Sequence, residues 1–203
     1  VIVDANLAEI ITNYHFDIII AKGYDEKALN ILKKKKRLKI IECKNLGEKI
    51  SQAFEIKSII NGILLQERDI SDIKIEDLKF VSKRKPTNKE IEDLVFSWKV
   101  AKHVSSNAIV VAKNKTTLGI GCGQMSRIDA TKLAISKAHN KYDYAVLASD
   151  GFIPFRDNID FAGKNNITAI IEPGGSIRDK EIIEAADEYN IALIFTGIRI
   201  FKH

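Results

Sequence analysis

The chain has 203 residues, 45% of them hydrophobic, which suffices for a packed core and argues against wholesale disorder. No apolar run approaches the roughly 18 residues of a membrane span, and the N-terminus carries no secretory signal pattern. We therefore expect no membrane partner and a cytoplasmic location. The net charge of +5 favours anionic partners such as nucleotides, phosphates, folates or nucleic acid.

Helical and strand-like segments alternate along the first part of the chain. The apolar spacing predicts two helices, at 5–14 and 25–35. It also predicts two strands, a short buried one at 17–21 and another at 38–42. The stretch 58–68 is rich in β-branched residues and has a glycine that predicts a bend. The charged residues 69–86 are predicted to be a connector.

The most basic run is Lys33 to Arg37, which follows the amphipathic segment Asp25 to Leu32 at the C-terminal end of the second predicted helix. Cations at a helix C-terminus complement the helix dipole, so a solvated helix end is one interpretation. An RNA-binding patch is the alternative, but no aromatic side chains are interleaved with the lysines to stack on bases. We therefore expect no nucleic-acid partner.

A helix begins after Pro86, because Thr87 and Glu90 form a capping box, and it is predicted to reach about Val104. Strands and helices then alternate to the end of the chain. The predicted strands are 108–112, 116–120, 144–148, 167–171 and 191–195, and the helices open at Ser126, near 157 and at Ser176. The first two of these strands form a hairpin, so the sequence predicts a layered α/β fold with a mixed sheet.

The loop 119–127, GIGCGQMSR, is the first of three loops between a strand and a helix that suggest a binding site. Its three glycines would let a ligand approach the backbone, and the helix opening at Ser126 points its N–H groups at the same place. Arg127 adds a planar cation suited to phosphate or carboxylate. The spacing is not GxGxxG, so a dinucleotide site is not predicted, and a simple turn is the alternative.

The second loop, SDGFIPFRD at 149–157, places Phe152 and Phe155 around Pro154. These could form a wall for a flat ring, with Asp150 or Asp157 accepting ring N–H groups. The alternative is that both phenylalanines belong to the core and Arg156 pairs with Asp157.

The third loop, EPGGSIRD at 172–179, has Ser176 and Asp179 as an N-cap pair. It could bind an anion at the helix N-terminus, or it could be ordinary capping.

Motifs of metal and nucleophilic chemistry are missing from the sequence. No histidine falls in a metal-ligand spacing, no PCxxC suggests a deaminase zinc, and no GxSxG occurs. Cys43 and Cys122 are far apart and are expected to be reduced, packed thiols. We therefore predict no metal site.

Four long blocks identify a family. KRKPTNKEIEDLVFSWKVAKHVSSNAIVVAKN, GIGCGQMSRIDATKLA, ASDGFIPFRDNIDFA and IEPGGSIRDKEIIEAADE, followed by the terminal FTGIRIFKH, resemble the bifunctional AICAR transformylase/IMP cyclohydrolase. The earlier IIIAKGYDEKALNILKKKKRLKIIE also looks like part of the transformylase domain. Because the chain starts at Val1 without an initiator methionine, we expect it to be the C-terminal part of that domain in a longer protein.

The resemblance implies a cytidine-deaminase-like layered α/β fold without zinc. Residues 1–70 would be the C-terminal portion of a first transformylase subdomain, and 71–203 a second one. The implied reaction transfers a formyl group from 10-formyltetrahydrofolate, a co-substrate, to the 5-amino group of AICAR. The family's Lys-His pair lies in a Phe-Lys-His-Val motif that this chain lacks. Lys102-His103 belongs to a different motif, so no catalytic residue is assigned and the chain alone is expected to be inactive.

The resemblance also implies binding residues. AICAR contacts are assigned to five residues, Asp17, Asn107, Arg127, Phe152 and Arg199. Folate contacts are assigned to Ile128, Asp157 and Ser176. Asn107 would lie beside the reacting groups, while Gly151 and Ile153 depart from the family pattern at the folate wall. A homodimer is implied as well.

Overall fold

A computed structural model describes residues 1–48, 54–138 and 143–202 of the protein. The chain divides into two compact units, Val1–Ile70 and Ser71–His203. The assignment of these units to two transformylase subdomains stays a prediction. Two histidines that the sequence analysis considered, at positions 139 and 203, lie outside the described residues.

The first unit is built from short elements around a small core. In chain order they are β1 Ile2–Val3, α1 Ala5–Thr12, β2 Ile18–Ala21, β3 Gly23–Tyr24, α2 Glu26–Leu32, β4 Lys39–Glu42, β5 Phe54–Ile59 and β6 Gly62–Glu67. The strands form three two-stranded sheets, parallel β1–β3 and β2–β4 and antiparallel β5–β6. Asp4 and Asp25 cap the two helices by accepting from Leu7 N at 2.8 Å and Ala28 N at 2.6 Å.

Both predicted helices and both predicted strands of this unit form. The prediction that 17–21 is buried is wrong, because Ile18 and Ile20 are half-exposed. Since β2 pairs only with β4 among the described strands, only its alternate side chains, Ile19 and Ala21, pack on the core. The basic run begins at Lys33, the C-cap residue of α2, and Lys35 Nζ donates to Tyr14 O at 2.8 Å. The last turn of α2 itself carries no basic residue, so a role of this run at the helix end stays a prediction.

The second unit alternates helices and strands. After a 3₁₀ turn at Ile75–Asp77, its elements are β7 Lys79–Phe80, α3 Asn88–Ala101, β8 Ile109–Lys113, β9 Thr116–Gly121, α4 Arg127–Lys137, β10 Ala145–Ser149, α5 Asp157–Lys164, β11 Ile167–Glu172, α6 Asp179–Glu188 and β12 Ala192–Phe195. The sheet order is β7-β12-β11-β10-β8-β9. Strands β10, β11 and β12 are parallel and the other pairs antiparallel, so the predicted mixed α/β sheet is confirmed.

Helices cover both faces of this sheet. On one face, α4, α5 and α6 pack through Ala134, Ile159 and Ile182 onto strand residues such as Leu147. On the other face, Trp98 of α3 packs against strand side chains. These alternate along each strand with the side chains of the first face and therefore point the opposite way. The sheet therefore lies between two apolar clusters, and helices and sheet form three layers.

Local sequence signals fix several boundaries. The Thr87–Glu90 capping box is present, with Glu90 N 3.2 Å from Thr87 Oγ1 and Thr87 N 2.8 Å from Glu90 Oε2. The prediction that 69–86 is only a connector is wrong, because β7 pairs with β12 at the sheet edge. Ser82 also accepts from Leu193 N at 2.7 Å. A two-residue edge strand is too short to leave a periodic signal.

Candidate functional site

The topology brings the conspicuous loops of the second unit to one edge of the sheet. The carboxyl ends of parallel β10, β11 and β12 lie together there. Ile109 at the start of β8 pairs with Ser149 at the end of β10, so residues 105–108 reach the same edge. Gly121 at the end of β9 pairs with Ile109, which adds the loop 122–126. Carboxyl ends of strands are where α/β sheets bind ligands.

Arg127 is the centre of a hydrogen-bonded cluster at this edge. It is the first residue of α4, which Ser126 caps by accepting from Asp129 N at 3.2 Å. Its side chain is only 6% exposed. Nη1 donates to Asp150 Oδ1 at 2.5 Å and Ser149 Oγ at 2.9 Å, and Nη2 donates to Asn107 Oδ1 at 2.8 Å. Because Asp150 neutralises it locally, Arg127 is a donor of directed hydrogen bonds more than a free cation.

Asn107 is held at both ends of its amide. Besides accepting from Arg127, it donates from Nδ2 to the carbonyl oxygens of Gln124 at 2.9 Å and Met125 at 3.4 Å. The amide therefore ties the segment before β8 to the loop before α4. Its second oxygen lone pair is the group it can still offer to a ligand.

The two phenylalanines of the second loop are not core residues, since Phe152 is partly and Phe155 half exposed. Each carries an arginine on its ring: Arg199 lies 5.2 Å from the Phe152 centroid and Arg178 lies 4.7 Å from that of Phe155. The alternative pairing within the loop is also wrong, because Arg156 binds Asp160 and Glu188 instead. The loop thus presents two aromatic–cation pairs at the sheet edge.

The glycines of the first loop have a different role from the one predicted. A Cβ on Gly119 would lie 1.9 Å from Ala134 O, and one on Gly121 would lie 2.0 Å from Ala130 O. Both therefore permit α4 to pack on β9 rather than a ligand to approach. Gly123, with φ +62° and no atom within 4 Å of the place a Cβ would occupy, alone stays open to a ligand.

We expect Gly121→Ala to lower the free energy of unfolding by about 3 kcal/mol, because the new methyl group pushes α4 off the sheet. The matched control, Gly123→Ala, should cost about 1 kcal/mol, the strain of a left-handed alanine alone. Urea unfolding followed by circular dichroism measures both. Equal losses would show that helix packing does not require Gly121.

The third loop differs from its prediction as well. Helix α6 begins at Asp179, two residues later than a cap at Ser176 predicts, and the Asp179 carboxylate accepts from Gly175 N and Ser176 N, both at 2.8 Å. Those N–H groups are thus satisfied within the chain and are not left for an anion. A pocket of about 380 Å³ opens here, and Lys79, Arg199 and Phe195 are among the residues that line it.

Glu172, the last residue of β11 and the first of the third loop, is fully buried. Its Oε2 accepts from Ile153 N at 2.7 Å, while Oε1 has no hydrogen-bond partner among the described residues. Burial, with a smaller contribution from the charge of Asp179, raises the pKa of Glu172 to about 8. Glu172 is therefore mainly protonated at neutral pH.

Comparison with known proteins identifies the family. The family model described as "AICARFT/IMPCHase bienzyme" matches residues 1–137. The chain belongs to the AICARFT/IMPCHase bienzyme family.

Curated relatives share the description "Bifunctional purine biosynthesis protein PurH". The protein of Caldicellulosiruptor saccharolyticus is 53% identical over 201 residues, 99% of this chain and 39% of its own length. That of Aquifex aeolicus is 49% identical over 204 residues, again 99% of this chain and 39% of its own. The chain therefore spans about two fifths of the length of these relatives.

Among solved structures, a dCMP deaminase from the cyanophage S-TIM5 covers 53% of this chain and 98% of its own at 14% identity, with a TM-score of 0.40. That likeness is too weak to add to what the sheet order says of the fold.

The structure brings together four of the eight site residues that the family resemblance predicts. Asn107 binds Arg127, and Arg199 stacks on Phe152 next to Gly151, where an added Cβ would lie 2.7 Å from Arg127 Nη2. These four residues thus belong to one neighbourhood. Their contact with AICAR stays a prediction.

The three predicted folate contacts lie at the starts of helices in the second unit. Ile128 and Asp157 are in the first turns of α4 and α5, and Ser176 precedes α6, so all three stand near helix starts that follow the same sheet edge. Asp17 is exposed in the first unit, 3.9 Å from His15. His103, which carries no catalytic assignment, is exposed after α3.

Sequence reasoning missed several residues and misjudged others. It offers Asp150 as an acceptor for ring N–H groups, but Asp150 is fully buried and already bound. It does not single out Ser106 and Ser149, the neighbours of Asp150 in the cluster. The signal available for Ser149 was a pair of polar residues, Ser149 and Asp150, at the end of the apolar strand β10. Cys43 and Cys122 are free thiols, but Cys122 is exposed in the first loop, not packed as expected.

Neither a metal cluster nor a membrane span is found in the described ranges. Over residues 1–48, 54–138 and 143–202, no group of three or more His, Cys, Asp or Glu side chains is placed to hold a metal ion. The helices in those ranges include none with the length and apolarity needed to cross a membrane.

Proposed function

We propose that this chain forms part of a site that transfers a formyl group from 10-formyltetrahydrofolate to the 5-amino group of AICAR, in purine biosynthesis. The amine nitrogen attacks the formyl carbon, the bond from that carbon to N10 of the folate breaks, and N10 gains a proton as the amine loses one. The amine is a weak nucleophile, so orientation, a proton acceptor and stabilisation of the formyl oxygen are needed.

The observation that carries this proposal is the cluster of Asn107, Arg127 and Asp150 beside the Phe152–Arg199 pair. Asn107 and Arg127 would bind the polar edge of the carboxamide with fixed hydrogen bonds. Phe152 would lie against the ring, and the exposed Arg199 would supply the positive charge that an anionic nucleotide requires. On the folate side we propose Ile128, Asp157 and Ser176.

The proton acceptor is proposed to lie outside this chain. The described residues place no Lys-His pair in the cluster, and Lys102 instead donates from Nζ to Ser71 O. We further propose that the enzyme works in the cytoplasm and that it is a homodimer, the latter as the family resemblance implies.

Titration calorimetry with AICAR tests the binding role directly. The chain should bind AICAR, and Arg199→Ala should raise the dissociation constant about 10-fold, because a charge-assisted contact is lost. The control is Arg178→Ala, which also removes an arginine from a phenylalanine ring but one that does not line the pocket. Equal weakening by both variants would contradict the assigned role of Arg199.

A turnover assay tests the second part of the proposal. With both substrates present, the chain alone should transfer no formyl group, because the proton acceptor is missing. Formation of the formylated product at a rate near that of a complete family enzyme would refute this.

A further inference from the structure

Asp150 is buried at the centre of the candidate site and is bound on every side. Its Oδ1 accepts from Arg127 Nη1 and its Oδ2 from Ser106 Oγ, each at 2.5 Å. Its backbone N donates to Ala108 O at 3.2 Å, and its carbonyl oxygen accepts from Ile200 N at 3.0 Å. Asp150 is also fully buried, so it is not accessible to a substrate as a direct ligand.

These contacts close a ring through the residues that face the ligand. Arg127 donates hydrogen bonds to both Asp150 and Asn107 Oδ1. Asn107 is joined by its peptide bond to Ser106, which in turn donates a hydrogen bond to Asp150. The orientation of the Asn107 amide is fixed in this way. The amide can therefore match only a ligand whose donor and acceptor are arranged to complement it.

The same ring fastens the C-terminal segment. Ser106 Oγ accepts from Lys202 N at 3.1 Å, and Ser106 N donates to Lys202 O at 2.9 Å. Together with the hydrogen bond from Ile200 N to Asp150 O, these contacts hold Ile200 and Lys202 next to the cluster. Arg199, one residue before Ile200, is thereby placed over Phe152.

We propose that Asp150 is a positioning residue for nucleotide binding, which sets Asn107 through Arg127 and Arg199 through the C-terminal segment. The inference rests on the proposed function, because it assumes that AICAR binds at this cluster. It also makes a distinct claim: loss of Asp150 impairs the nucleotide side of the site and leaves the folate side, at α4 to α6, nearly unchanged.

Asp150→Asn is the informative variant, because asparagine keeps the shape and can still accept from Arg127 while removing the charge that holds it. Its matched control is Asp93→Asn. Asp93 is also buried and also accepts two hydrogen bonds, from Asn114 N at 2.9 Å and Lys115 N at 2.7 Å, but at the β8–β9 turn, the opposite end of that hairpin from Asn107.

Calorimetry on the chain measures the affinity for AICAR and for 10-formyltetrahydrofolate separately. Asp150→Asn should weaken AICAR about 10- to 100-fold, the usual effect of losing a group that orients a ligand-binding side chain, and folate less than about 3-fold. Asp93→Asn should change neither. The side-chain amide signals of Asn107 in a ¹H–¹⁵N spectrum should shift in Asp150→Asn only.

The outcomes separate the two proposals. A parent chain that binds no AICAR would refute the proposed function. A parent that binds AICAR, with Asp150→Asn binding it equally well or losing both ligands alike, would overturn the positioning role alone. If Asp150→Asn does not fold, Ser106→Ala decides the matter, since it keeps the charge pair: it should weaken AICAR about 3- to 10-fold with folate unchanged.

Discussion

Arg127→Ala is expected to lower the free energy of unfolding by about 3 to 5 kcal/mol, the cost of breaking a buried ion pair by removing one partner. Asp150 is fully buried, and Arg127 is its only charged partner in a contact described here. Without the guanidinium, the carboxylate keeps Ser106 as a donor but has no compensating charge. It must then ionise at a high cost or take up a proton.

Arg156→Ala is the matched control for this effect. Arg156 binds two carboxylates, Asp160 at 2.9 Å and Glu188 at 2.7 Å, but its side chain is 38% exposed. Because solvent screens exposed pairs, we expect a far smaller loss from Arg156→Ala despite its larger number of ion pairs. Urea unfolding of both variants measures the difference, and equal losses would show that burial is not what makes the Arg127 pair important.

A double variant separates the interaction from the burial. Arg127→Leu combined with Asp150→Leu removes both charges, so its loss of stability should be smaller than the sum of the two single losses. Additive losses would mean that the two side chains do not stabilise the protein through each other.

The sequence predicts the fold correctly where an element is marked by residues close together in the chain. The Thr87–Glu90 capping box and the Ser126 cap each depend on residues three apart, and both form as predicted. The buried strands β10 and β11 stand out as short apolar runs and also form. Fold class followed because strand–helix alternation leaves few layered arrangements.

The site was less accessible, because its key features depend on which distant segments meet. Nothing local tells whether the carboxylate after β10 faces solvent or Arg127, and Asp150 was therefore misjudged. Likewise, Gly121 looks like a ligand-approach residue until α4 is known to pack on it. In the third loop Ser176 was predicted to cap α6, but the helix begins at Asp179, whose carboxylate binds two loop N–H groups.

Glu172 should make the stability of the protein depend on pH around neutrality. Its pKa rises from the ordinary 4.5 to about 8, first because burial penalises the charged form, and then because Asp179 is negative; Arg127 and the N–H groups of Ile153 and Gly174 act in the opposite direction. Oε2 is the acceptor for Ile153 N, which leaves Oε1 to hold the proton.

The direction of the effect follows from proton binding. Between about pH 4.5 and 8 the folded protein keeps a proton on Glu172 that the unfolded chain has lost, so stability falls as pH rises. The contribution is complete below pH 4.5 and lost once pH passes 8. A shift of this size corresponds to a total of about 5 kcal/mol.

Glu172→Gln removes this titration while keeping a carbonyl oxygen for Ile153 N. Position 172 does not titrate in the variant. We therefore expect its free energy of unfolding to change less between pH 5 and 9 than that of the parent, and to be higher than that of the parent at pH 9. Glu184→Gln, at a glutamate whose side chain is 62% exposed, should instead keep the slope of the parent. Urea unfolding at five pH values across this range gives all three curves. If the parent and Glu172→Gln run parallel, then Glu172 is ionised in the folded protein at neutral pH, and water or another donor must reach Oε1.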